Sequence, residues 1–372
     1  MLRRPAVTAL LIFLPLLLAG CWDVDDISNR GTPNAVFLDL VKPERIKFGC
    51  SFHVPGSLLP PFNSTAQLFE KRNYTLAGEG KGILDAWRDL QTRSTRDIFM
   101  GQISAVILSE RFARANLENL LDFMIRRAEI PGDTLVTVTK SDPEKLIDVK
   151  LDNNFVPGSY ILKYFQSVAK RSMAIPVNLW ELDAALTNGN PDAHLPLIET
   201  SQGMYRIAGT VLFCGTRWAG ELSAGETLFL ALLRGETYGY LTVPLGARGL
   251  AAFFDVDSKA EIIPRKIGPG RFHFDINVKA DGFLRETYPK NIPITLRETR
   301  RYERAAAVFL RSEMMRLLGK LRRLNSDPLG FGKKVRVRYP REWEAMKWHQ
   351  VYPKSSFQVK VKFQCDNTGV LE

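Results

Sequence analysis

The sequence predicts an α+β fold of more than one domain, in which mixed and antiparallel sheets pack against helices. Three observations carry that expectation. Between Ile103 and Val149, strand-like and helix-like patterns alternate. From Arg271 to Lys279, apolar and polar residues alternate strictly. From about Glu298 to Leu324, apolar residues recur every three or four positions, the spacing of one long amphipathic helix. Strand–helix alternation marks an α/β unit, whereas strands followed by a separate long helix mark an α+β one.

The first twenty residues stand apart from this pattern. Arg3 and Arg4 precede an apolar run from Ala9 to Leu18, broken by Pro15, and Ala19-Gly20 lead directly to Cys21. Positive charge, a short apolar stretch and a small-residue cleavage site describe a secretory signal. The run is too short for a bilayer-spanning helix, which needs about 20 predominantly apolar residues. A cysteine at the first mature position supplies a thiol for a diacylglyceryl group and, after cleavage, an amine for acylation. Two or three chains, at about 0.8 kcal/mol per buried CH₂, hold a soluble domain at a membrane. Residues 1–20 are therefore expected to be a lipoprotein signal peptide, and Cys21 the lipidation site and the membrane attachment. The chain beyond Cys21 is then extracytoplasmic.

Beyond Cys21, strands are expected at Ala35–Leu40 and Arg45–Val54, and an exposed loop at Pro55–Ser64. Gly78-Glu-Gly-Lys-Gly82 leads into a helix to Thr92, with Ile83, Ala86, Trp87 and Leu90 on one face. A glycine-rich turn before a helix can cradle phosphate, but this one has neither the P-loop ending nor GxGxxG, and a plain strand-to-helix turn is the better reading. Ile103–Leu108 reads as a buried strand, Glu110–Ile130 as a helix, and Thr134–Thr139 as a half-buried strand. Ser141-Asp-Pro-Glu144 has the form of a capping box. Helical patterns come next near Gly158–Arg171 and Asn178–Leu186.

The turn-rich Thr187–Asp192 marks the expected boundary between an N-terminal α/β domain, residues 21–190, and a C-terminal α+β domain, residues 191–372. In the second, Tyr205–Phe213 and Arg217–Leu222 form a hairpin around Cys214-Gly215, and residues 205–286 are strand-rich. On the strand at 271–279, Phe272, Phe274, Ile276 and Val278 share the inner face. The helix at about 298–324 presents Ala306, Leu310, Met314, Leu317, Leu321 and Leu324 to that core. Arg304, Arg311 and Arg322 fall on the opposite face, and a membrane-surface helix is the alternative to packing against the neighbouring strands, which is the better reading. Asp327-Pro-Leu-Gly-Phe-Gly332 stops the helix, and terminal strands are expected within 333–364, with a short helix from Pro340 between them.

Composition limits function. Charged residues make up 24% and hydrophobic ones 45%, a globular balance. A net charge of +11 would suggest nucleic acid, but export places the chain away from it and favours anionic headgroups, acidic proteins or solvent. Apart from Cys21, the cysteines are Cys50, Cys214 and Cys365, which have neither a disulfide-framework nor a zinc spacing and read as free thiols, one disulfide among them staying open. The four histidines, His53, His194, His273 and His349, form no HExxH pair, no GxSxG elbow is present, and no SxxK motif occurs with its partner motifs. Asp23, Asp25 and Asp26 lack the spacing of a calcium loop. No catalytic residue, metal site or cofactor is expected beyond the covalent lipid on Cys21.

Taken in order, these landmarks resemble the Ger(x)C family, the lipoprotein C subunits of spore germinant receptors. The resemblance is carried by Cys21-Trp22-Asp23 with Asp26-Ile27, by Glu79-Gly80 before the helix at 83–92, and by Ser94-Thr-Arg96. Gly209–Phe213 with Gly220-Glu-Leu-Ser223 comes next, then the long helix, Asp327–Gly332 and Trp343. Asp26 stands where members usually have Glu, and Met100-Gly-Gln102 where they tend to have a glycine–histidine pair. The resemblance implies a non-catalytic subunit on the outer leaflet of the inner spore membrane. It also implies membrane-embedded A-type and B-type partner subunits and a small-molecule germinant sensed by the complex. It supplies no ligand-binding residue. A solute-binding lipoprotein serving a transporter is the alternative, disfavoured by the unlike halves, and an exported hydrolase is a third reading, disfavoured by the missing nucleophile.

Overall fold

The computed structural model describes residues 29–53, 73–149, 157–166, 173–188, 191–235, 239–246, 249–288 and 295–366. The chain opens with β1 (Arg30–Gly31), β2 (Pro33–Lys42), β3 (Arg45–His53) and β4 (Asn73–Gly80). Then come α1 (Ile83–Gln91), β5 (Asp97–Ile98), β6 (Ala105–Ser109), α2 (Glu110–Ile125), β7 (Leu135–Thr139), α3 (Pro143–Ile147), α4 (Pro157–Gln166) and α5 (Leu179–Asn188). Next are β8 (His194–Ser201), β9 (Met204–Cys214), β10 (Arg217–Ser223) and α6 (Ala224–Arg234). The last part holds β11 (Gly239–Pro244), β12 (Leu250–Gly268), β13 (Arg271–Tyr288), α7 (Leu296–Leu324), α8 (Phe331–Arg338), α9 (Pro340–Glu344), α10 (Trp348–Val351) and β14 (Ser356–Cys365).

Eight strands form one mixed sheet in the order β10-β9-β8-β7-β6-β2-β3-β4. Its centre is parallel, β2 to β6, β6 to β7 and β7 to β8, and its flanks are antiparallel. Helices cover both faces. On one, Trp87 of α1, Leu120 of α2 and Leu182 of α5 pack on Phe48, Val106 and Val136. On the other, Ile147 of α3 and Ile161 and Phe165 of α4 pack on Phe37, Ile107 and Leu135. This cover corrects the expectation of a half-buried strand at 134–139. Parallel strands with crossover helices are buried on both faces, so Thr137 and Thr139 are buried with the valines, and the Thr137 hydroxyl donates to the Val106 carbonyl at 3.3 Å. The cap of α3 also differs from expectation: Asp142, rather than Ser141, accepts the Glu144 and Lys145 amides.

The sheet does not end at residue 190. β8, β9 and β10 lie beyond the turn-rich stretch, yet they complete one side of the eight-stranded sheet. α6 interrupts the region expected to be strand-rich, and it starts on a reciprocal cap in which Ser223 and Glu226 bond each other's backbone amides.

The second sheet runs β11-β12-β13-β14, antiparallel except for the β13–β14 pair. Its inner face carries Phe272, Phe274, Ile276 and Val278, as the alternation predicts, against Tyr302, Ala306, Leu310, Met314, Leu317 and Leu321 of α7. The 29 residues of α7 make a rod about 43 Å long at ~1.5 Å per residue. Leu212 and Leu222 from the first sheet join this core, so the two cores meet at β9 and β10.

One expected strand is a helix. Residues 333–339 alternate Lys-Val-Arg-Val-Arg in a strand-like way, but Phe331–Arg338 forms α8 and the terminal strand is confined to Ser356–Cys365. The cause lies one turn earlier. The Asp327 carboxylate accepts the Phe331 and Gly332 amides at 2.8 Å each, and so satisfies donors that a helix start leaves open. Tertiary contacts then keep Val335 buried while Val337 stays 75% exposed.

Candidate functional site: a buried carboxylate pair where the sheets meet

The turn-rich stretch before β8 and the loop after α7 meet at two carboxylates. Asp192 and Asp327 are 1% and 0% exposed. The Asp327 amide donates to the Asp192 carboxylate at 2.7 Å, and the Asp192 amide donates back to the Asp327 carbonyl at 3.0 Å. The other Asp192 oxygen accepts the Gly215 amide, from the β9–β10 turn, at 3.0 Å. Besides the two α8 amides, Asp327 accepts the Trp348 indole N–H at 2.9 Å. These donors are main-chain amides and an indole, so the fold itself does much of the holding.

The flanking residues continue the bridge. Asn325 caps α7 in the left-handed region, and its amide donates to the His349 carbonyl at 2.9 Å. The Ser326 hydroxyl donates to the Phe213 carbonyl at 2.6 Å, and Arg234 at the end of α6 donates to the Pro328 carbonyl at 3.1 Å. Three polar groups of the loop thus find partners on elements far away in sequence. Buried polar groups left unpaired would cost about 1–3 kcal/mol each, so this seam specifies one arrangement of the halves.

At its edge stands a row of three side chains. His349 Nε2 lies 3.4 Å from Asp192 Oδ1, and His349 Nδ1 lies 3.4 Å from Cys214 Sγ. The contact with Cys214, opposed by burial and aided by the Asp192 carboxylate, holds the imidazole up to about 9, so it is cationic at neutral pH. Burial pushes Asp192 above the ordinary carboxylate range, while the Gly215 and Asp327 amides and His349 pull it back. His194, fully buried at the start of β8, is pushed down to about 3 by burial and by Arg234, and so is neutral.

Thiol, imidazole and carboxylate in a row are the parts of a nucleophile–base–orienter set. Here the carboxylate is already engaged by two amides, and the histidine contributes its carbonyl to the α7 cap. The arrangement works as a latch. The three groups do not surround a common centre, and among the described residues no three acidic, histidine or cysteine side chains are placed to hold a metal ion.

The other residues singled out in the sequence fall elsewhere. Cys21, with Asp23, Asp25 and Asp26, lies outside the described residues. Cys50 is buried in β3, and Cys50, Cys214 and Cys365 are free thiols. The glycine run at 78–82 serves packing: a Cβ on Gly78 would sit 2.2 Å from the Leu90 amide nitrogen, and one on Gly80 2.4 Å from that of Ala86. Those glycines let β4 lie directly on α1. Sequence reasoning missed Asp192 as a site residue; the turn signal at 187–192 located it but gave no hint of its partner.

Two family models match the chain in series. Residues 23–200 match the spore germination protein N-terminal domain, and residues 208–369 match the spore germination B3/GerAC-like C-terminal domain. The chain belongs to the Ger(x)C family of spore germination proteins. Among Ger(x)C relatives, spore germination protein B3 of Bacillus subtilis (strain 168) is 22% identical over 98% of both chains. Spore germination protein KC of the same organism is 19% identical over 100% of this chain and 97% of that one. The crystal structure of the GerBC protein superposes with a TM-score of 0.59 at 18% identity, covering 89% of this chain and 97% of that one, and so shares its fold. The Ger(x)C match breaks between residues 200 and 208, within or beside the β8–β9 hairpin of the first sheet. Among the described residues, no helix of this Ger(x)C protein is long and apolar enough to cross a membrane.

Proposed function

We propose that this chain is a lipid-anchored, non-catalytic subunit of a spore germinant receptor, held at the membrane through Cys21 and acting by assembly with membrane-embedded partner subunits. The observation that carries the reading is the family match in series, which spans both halves from residue 23 to residue 369. The signal segment ending in Cys21 supports the anchor. The seam supports the mode of action: a chain whose halves are latched through buried acids is suited to present fixed surfaces to neighbours. The small-molecule germinant is sensed by the assembled complex.

The test is genetic and biochemical. Deleting the gene together with any paralogues leaves growth intact and blocks or slows nutrient-triggered germination; normal germination in that strain would sink the reading. A C-terminally tagged chain purified from spore membranes brings two membrane subunits with it. Cys21→Ala leaves precursor or released protein, and unchanged membrane retention with unchanged mobility would contradict the anchor.

A further inference from the structure

Helix α8 and the loop beyond it carry a dense positive charge. In Lys333-Lys334-Val335-Arg336-Val337-Arg338-Tyr339-Pro340-Arg341, five of nine residues are cationic and none is acidic. All five cations are exposed, and the apolar Val337 projects among them at 75% exposure, while Val335 fixes the helix to the core beneath. Beside this helix lies an open groove of about 540 Å³ between α8, β12 and the end of α6. Leu233, Ile262 and Leu329 wall it, Arg234, Lys334 and Arg338 stand on its rim, and none of the described lining residues is acidic.

We propose that α8 and this groove form a second membrane contact, which seats on the phosphates of anionic phospholipid headgroups. The proposal rests on the reading that the chain works at the extracytoplasmic membrane face. The chemistry selects the occupant in two steps. A zwitterionic nutrient would place its ammonium group in a groove whose described lining is cationic and carries no carboxylate, so an anion is the better match. The cations are spread along and around one turn-and-a-half of helix with a protruding valine between them. That diffuse field suits a laterally mobile array of phosphates with apolar carbon behind it, more than a fixed array of protein carboxylates. Clusters of Lys and Arg on an amphipathic helix are the known signature of attraction to anionic lipid. Nearby, the Glu342 carboxylate is engaged by Lys266 at 2.8 Å.

The full chain made by cell-free translation, without lipid on Cys21, is compared with its Lys334→Ala/Arg338→Ala variant by vesicle co-sedimentation. Both share the same N-terminal segment, so their difference reports the helix. On phosphatidylcholine vesicles containing phosphatidylglycerol, the variant should bind roughly tenfold or more weakly, at about fivefold per lost charge near an anionic surface. On phosphatidylcholine alone the two should bind alike. An Arg300→Ala/Arg304→Ala variant on the outer face of α7 loses the same charge and should keep its binding. Equal loss in that control, or no loss in the α8 variant, overturns the proposal. Displacement by millimolar free glycerol phosphate would assign the groove to a soluble phosphate, and normal vesicle binding with failed subunit assembly would assign α8 to an acidic protein; either overturns the lipid contact. Because the assay omits the anchor, it can fail while the receptor-subunit reading stands.

Discussion

The Asp192 carboxylate accepts the backbone amide of Asp327 at 2.7 Å across 135 positions of sequence. That bond ties the entry to β8, in the first sheet, to the loop that ends α7 and starts α8. Residue 327 therefore orients three things at once: its main chain holds the sheet-to-sheet seam, and its carboxylate holds the first turn of α8 and the indole of Trp348.

Asp327→Asn should expose the value of that arrangement. An amide offers one acceptor oxygen where two carboxylate oxygens now take three N–H donors, and its NH₂ would face an amide. Hydrogen bonds to a charged group contribute about 1.5–3 kcal/mol each, so a loss of about 3 kcal/mol or more in unfolding free energy is expected. Urea unfolding followed by tryptophan fluorescence measures it; a change below ~1 kcal/mol would mean that the start of α8 and Trp348 are not held through the Asp327 carboxylate.

The seam should weaken in mild alkali. His349 titrates at about 9 in the folded chain, above its ordinary 6.5, so the folded state holds the proton more tightly than the unfolded state. Stability from this group is complete below 6.5 and is lost as pH rises through about 9. The urea midpoint of the wild-type chain should therefore fall between pH 6.5 and about 9, and His349→Gln should flatten that fall. Parallel curves for the two proteins would remove His349 from the seam.

Local patterns made much of this fold legible, and the failures share one cause. The alternation at 271–279 and the three–four spacing of α7 survive because each element's inner face is written in its own residues. The alternation of Lys333–Arg338 misleads, because α8 is started by Asp327 and held by Val335 against a distant core. Thr137 looked like a solvent-facing position, since nothing nearby tells that α3 and α4 cover the second face. Asp192 reads as an ordinary turn residue until Asp327 arrives from the other half. Cys21 is the reverse case: the sequence alone proposes it as a lipidation site, and it lies outside the described residues.

The free thiols should separate by burial. Cys50 is fully buried between β2 and β4, and burial pushes its thiol well above the ordinary range despite the opposing charge of Arg127. The thiolate is the reactive form, so Cys50 should resist iodoacetamide until the chain unfolds. Cys214 and Cys365 are half-buried and should label in the native protein. Mass spectrometry of peptides, with and without urea, reads all three; rapid native labelling of Cys50 would contradict the packing of β3.

The glycine run at 78–82 distinguishes packing from ligand chemistry. If it served an anion, Gly82 at the mouth of α1 would be the sensitive position, and Gly78 would tolerate alanine. The geometry gives the opposite order. A Cβ on Gly78 meets main chain at 2.2 Å from Leu90 and 2.4 Å from the Ala86 carbonyl, whereas one on Gly82 meets nothing within 4 Å. Backbone cannot swing aside as a side chain can, so Gly78→Ala should push α1 off β4 and disturb the contact between Phe48 and Trp87, whose rings lie 5.5 Å apart edge to face. Overpacking of this kind costs about 1–3 kcal/mol or more, and Gly82→Ala should stay within about 0.5 kcal/mol. Urea midpoints of the two variants, read by Trp fluorescence, decide between them: a tolerant Gly78 with a sensitive Gly82 would return the turn to the ligand reading.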